Sequence, residues 1–78
     1  MNILTLKYYD GSIIRYEYQP EGKGGKGVIA YDKNKETLTV EKTAEDDANR
    51  YYANMAKSKI EKIIDKKNLP LECVQAWY

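Results

Sequence analysis

Seventy-eight residues with a formal net charge of +1 confine the chain to one small domain, near the lower limit for a fold held by its own core. It has no histidine and a single cysteine, Cys73. That excludes an intramolecular disulfide and removes the side chain on which neutral-pH acid–base catalysis, catalytic triads and most zinc sites rely.

Charge is also balanced locally, with seven Lys/Arg against six Asp/Glu in residues 1–42 and six against six in 43–78. No strong field is therefore available to attract nucleic acid. Small secreted domains usually carry disulfide staples, so the lone thiol favours the cytoplasm. Met1 to Leu6 is too short for the apolar region of a signal peptide, and Lys7 ends it. No apolar run approaches a membrane span.

The first predicted strand, Ile3 to Tyr9, alternates apolar and polar residues, and so does the second, Ile13 to Tyr18. A two-residue Asp10-Gly11 loop would pair Leu6 with Arg15 and Leu4 with Glu17, placing charge on the apolar face. A three-residue loop, Tyr9-Asp10-Gly11, pairs Leu6 with Ile14 and Leu4 with Tyr16, and gives Gly11 the left-handed position. The expected inner face is then Leu4, Leu6, Tyr8, Ile14, Tyr16 and Tyr18. Tyr9 falls on the other face with Ile3, Ile13 and Arg15.

Gln19 to Gly27 contains Pro20 and four glycines around two lysines, and reads as a mobile connector. Val28–Tyr31 and Thr37–Glu41 form a second hairpin, whose four-residue loop pairs Tyr31 with Leu38 and Ile29 with Val40. A helix is predicted from about Thr43 to Lys67, capped by Thr43 with Asp46 reaching back and stopped by Asn68 and Pro70. Ala48, Tyr52, Met55, Ala56, Ile60 and Ile63 share its apolar face. Leu71 to Tyr78 is a last strand whose place in the sheet the sequence leaves open. The expectation is one α+β domain, ordered ββββαβ, with a mainly antiparallel sheet of about five strands and the helix on one face.

The motifs that could carry chemistry have simpler explanations. Gly22-Lys23-Gly24-Gly25-Lys26-Gly27 matches a dinucleotide pattern in letters, yet a strand follows where a helix must open, so no helix amides can hold a pyrophosphate. What survives is a candidate anion contact at Lys23 and Lys26. Asp32 to Glu36 echoes a calcium loop but has Thr37 where glycine is needed and Thr43 where the bidentate glutamate belongs. Glu45, Asp46 and Asp47 are adjacent on the predicted helix and do not converge; complementing the helix dipole accounts for them. Cys73 lacks a histidine to activate it and reads as a small apolar residue.

These readings predict a protein that is not an enzyme, with no catalytic, cofactor or metal residues. The expected partner surface is the mixed sheet face, Ile3, Tyr9, Ile13 and Arg15 joined by Trp77. Val28 and Ala30 also belong to the uncovered set, which favours a protein partner or a homodimer. The alternative is single-stranded nucleic-acid binding by exposed tyrosines with the Gly/Lys connector; the expected burial of Tyr8, Tyr16 and Tyr18 as core disfavours it.

Overall fold

The structure, a computed structural model, describes residues 1–45, 47, 50–65 and 69–76. Five strands and one helix follow one another as β1 (Asn2–Tyr9), β2 (Ile13–Pro20), β3 (Gly27–Asp32), β4 (Thr37–Lys42), α1 (Tyr51–Asp65) and β5 (Glu72–Gln75). All pairings are antiparallel, and the sheet order is β4-β3-β2-β1-β5. This is the ββββαβ, α+β layout that the alternation and the helical stripe predict. The four leading strands make a meander, and α1 carries the chain back across one face. It thereby delivers β5 to the free side of β1, the placement the sequence left open.

The register of the first hairpin differs from expectation. Leu4 pairs with Tyr18 and Leu6 with Tyr16, a two-residue slide that leaves these four side chains on their predicted face because the strand period is two. An irregularity between Leu6 and Tyr8 then inserts one residue, so Tyr8 pairs with Arg15 and Tyr9 with Ile14. One extra residue reverses the alternation beyond it. Tyr8 thus joins the open face and Tyr9 the helix side, the opposite of their predicted sides. The cause lies in Asp10, whose Oδ1 accepts the Ser12 and Ile13 amides at 2.8 and 2.7 Å. These bonds centre the tight turn on Gly11-Ser12, one residue later than expected. Gly11 does take a left-handed conformation, φ +95°, which glycine adopts without steric cost.

The second hairpin has the expected register, Tyr31 with Leu38 and Ile29 with Val40. Asp32 closes its turn by accepting the Asn34 and Lys35 amides.

Between sheet and helix lies the core. Leu4, Ile14, Tyr16, Tyr18 and Ile29 rise from the sheet to meet Ala53, Ala56, Ile60 and Ile63 of α1. The alanines let the helix approach closely, while each large side chain buried contributes about 1.5–3 kcal/mol. Gly27 is equally constrained. It pairs with Tyr18, and a Cβ at Gly27 would run into the Tyr18 ring and come within 2.7 Å of the Lys42 carbonyl oxygen. The ring lies where that side chain would be.

The helix starts later than predicted. Among the described residues none before Tyr51 is helical, so Thr43 is not its cap; the predicted roles of Asp46, Ala48, Lys66, Lys67 and Asn68 lie outside the described residues. Asp47 does the capping instead. Its Oδ1 accepts the Tyr52 amide and its Oδ2 the Ala53 amide, both at 2.9 Å. Arg50, the residue next to the helix, has φ +60°, and its carbonyl accepts the Asn54 amide at 2.9 Å. The Arg50 amide donates to the Asp47 carbonyl at 3.0 Å, and a carboxylate outside the helix bonds to amides that an N-cap side chain would ordinarily take.

Candidate interaction surfaces

With α1 on one side, the other face of the sheet has no element packed on it among the described residues. Strand alternation places Ile3, Ile13, Arg15 and Val28 there, as predicted, and β5 adds Val74, which pairs with Ile3. Ile3, Ile13 and Val28 are half-buried by their neighbours, whereas Val74 is 57% exposed. Tyr9 does not belong to this face, for the reason given above. Trp77 lies outside the described residues.

Charged pairs organise the middle of the face. Arg15 donates from Nε to Glu41 Oε1 at 2.9 Å, reaching across β3, where Ala30 pairs with Arg15 on one side and Thr39 on the other. The small side chain permits the crossing and is covered by it: Ala30, expected to be uncovered, is only 8% exposed. The Arg15 guanidinium also lies 5.1 Å from the centroid of the Tyr8 ring, a cation–π arrangement. Lys7 and Lys26 both approach Glu17 Oε1 at 3.8 Å. Exposed pairs of this kind contribute about 0–1 kcal/mol, so they orient side chains more than they stabilise the fold.

The anion contact proposed for the connector has little left to offer. Lys26 faces Glu17, while the Gly22 and Lys23 amides donate to the Gln19 and Pro20 carbonyls at 3.2 Å. Gln19 donates from Nε2 to the Gly24 carbonyl at 2.9 Å. These contacts fold the segment back on itself, and two of its amides are turned away from any ligand.

On the helix side, Tyr9 closes one end of a cleft of about 260 Å³ whose other walls are Leu6, Ile14, Lys33, Ile64 and Leu69. A neighbouring cleft of about 370 Å³ is lined by Tyr31, Glu36, Ser58, Glu61, Lys62 and Ile64.

Buried polar groups tie the two layers together. Tyr18 donates its hydroxyl to Asp47 Oδ2 at 2.9 Å and accepts the Ala44 amide at 3.0 Å. Asp47 is 1% exposed, and both its oxygens are engaged with these internal donors. Asn2 donates to the Tyr52 carbonyl and to Gln75 Oε1, and Gln75 donates to the Met55 carbonyl. Tyr16 donates to the Pro70 carbonyl at 2.7 Å. Burial raises the pKa of both Tyr16 and Tyr18. At the surface, the Ser12 and Ile13 amides and the Tyr8 hydroxyl hold Asp10 below its ordinary value. The terminal ammonium of Met1 and the Tyr52 hydroxyl do the same to Glu21.

Cys73 pairs with Leu4 on the helix side and is half-buried. Among the described residues no group of three His, Cys, Asp or Glu side chains could hold a metal ion, and no helix is long and apolar enough to cross a membrane. Sequence reasoning missed Asp47, Asn2 and Gln75. The only available signal was that each is a polar residue beside an apolar run, which is too common to single them out.

No protein-family model matches the chain, and neither a curated protein nor a solved structure matches it.

Proposed function

We propose that the protein is a non-catalytic cytoplasmic interaction module that associates with a second copy of itself through the open face of its sheet. One observation carries this reading: the face opposite α1 holds Ile3, Ile13, Val28 and the exposed Val74, with no helix or strand over them among the described residues. Burying an aliphatic side chain fully stabilises by about 1.5–3 kcal/mol, so covering the exposed parts of several is a large gain for so small a domain. The Arg15–Glu41 pair beside them gives a polar frame that would fix orientation.

The test is mass by light scattering across micromolar concentrations. A dimer is expected, reduced to monomer by Ile13→Lys with the circular dichroism spectrum unchanged. A monomeric mass persisting at high concentration, with Ile13→Lys leaving stability untouched, would refute the reading. Oligonucleotide titration separates the nucleic-acid alternative, which requires salt-sensitive affinity lost on Lys23→Glu and Lys26→Glu. Burial of Tyr16 and Tyr18 and placement of Tyr8 and Tyr9 on opposite faces weigh against it, since among the described residues these rings do not line one track.

A further inference from the structure

We propose that the helix-side cleft bounded by Tyr9 and Lys33 is a binding site for a small amphipathic carboxylate, a free molecule with one anionic head and a short apolar tail. The site exists because of the irregularity in β1. By turning Tyr9 to the helix side, it sets a ring at the mouth of a cleft whose inner walls are Leu6, Ile14, Ile64 and Leu69. At about 260 Å³ it is slightly below the usual range for ligand pockets, about 300–1,000 Å³, which limits the guest to roughly ten non-hydrogen atoms.

Two polar groups converge on the mouth. Lys33 Nζ donates to the Tyr9 hydroxyl at 2.7 Å and lies 4.9 Å from its ring centroid. Having accepted from Lys33, the hydroxyl has its own proton to give, and no acceptor for it occurs among the described residues. The ammonium has two further protons and no carboxylate within ion-pair distance among the described residues. A carboxylate is the head group that would accept from both at once. The neighbouring cleft, which shares the Ile64 wall, carries Glu36 and Glu61 beside Lys62. With two carboxylates against one ammonium, that cleft is the poorer end for an anionic head, so the favoured orientation has the head at Lys33 and the tail against Leu6 and Ile64. At the Lys33 mouth a cationic amphiphile meets only an ammonium and a hydroxyl that already accepts from it.

The experiment is a methyl and amide chemical-shift titration with octanoate, using octylamine and octanol as controls. Octanoate should give saturable shifts at Leu6, Ile14, Ile64 and Leu69 with a dissociation constant on the order of 0.1–1 mM. Octylamine should bind at least about tenfold more weakly. Lys33 is an exposed turn residue, so Lys33→Glu should fold normally; it should weaken octanoate about tenfold and leave octanol unchanged. Tyr9→Phe, which keeps the wall and removes the hydroxyl, should weaken octanoate about threefold. The Ile13→Lys variant should bind as the parent does, because its substitution is on the opposite face. Absence of saturable shifts at about 10 mM octanoate would overturn the assignment. So would equal binding of octylamine, or an Lys33→Glu variant that binds octanoate like the parent.

Discussion

Replacing Asp47 with alanine should remove a substantial part of the domain's stability. The carboxylate accepts the Tyr52 and Ala53 amides and the Tyr18 hydroxyl, each at 2.9 Å. Hydrogen bonds to a charged group contribute about 1.5–3 kcal/mol each, and loss of a helix cap alone costs about 1–2 kcal/mol. Water can replace the carboxylate at Tyr52, which is half-buried, but not at Ala53, which is fully buried. Removing a buried charge also recovers its desolvation cost. The net loss is therefore about 3 kcal/mol, against a total of roughly 4–12 kcal/mol for a domain of this length.

Urea denaturation followed by far-UV circular dichroism measures the loss directly, and the thermal midpoint should fall by about 12–24 °C. Asp47→Asn should cost about 2 kcal/mol, because an amide has one acceptor oxygen where the structure uses two. A double-mutant cycle with Tyr18→Phe should show a coupling energy of about 1–2 kcal/mol. An Asp47→Ala protein within about 1 kcal/mol of the parent would show that the helix does not depend on this carboxylate.

The two glycines with opposite constraints give a paired test. Gly27→Ala should cost about 2–4 kcal/mol, since its Cβ would displace the Tyr18 ring; Gly11→Ala, with open space around it but φ +95°, should cost about 1–2 kcal/mol. Equal losses in urea titrations would contradict this ordering. At alkaline pH, Tyr16 and Tyr18 have folded pKa values raised by burial, so the folded state holds their protons more tightly than the unfolded chain. Their contribution is complete below the ordinary tyrosine value of about 10 and is lost as pH rises through the raised values. Tyrosinate absorbance should accordingly show two rings that ionise only with unfolding, and Tyr16→Phe should remove one of them.

Local repetition determined most of the fold. Period-two alternation marked β1 to β4, a period near 3.6 marked the helix, and the four residues between Tyr31-Asp32 and Thr37-Leu38 fixed the second register. Each signal is legible because neighbours in sequence share one face. The same alternation placed Ile3, Ile13 and Arg15 correctly on the open face. It failed for Tyr8 and Tyr9, because one inserted residue reverses the parity of everything beyond it, and that insertion follows from Asp10 bonding two amides past the glycine. The start of the helix was misplaced for a related reason. Propensity and charge pointed to Thr43, whereas the cap is set by Asp47, which is held in turn by Tyr18, a residue 29 positions away. The position of β5 depended on the helix crossing the sheet and on Asn2 meeting Gln75 across 73 positions. Contacts between residues so far apart leave no periodic trace in the chain, and only the folded arrangement brings them together.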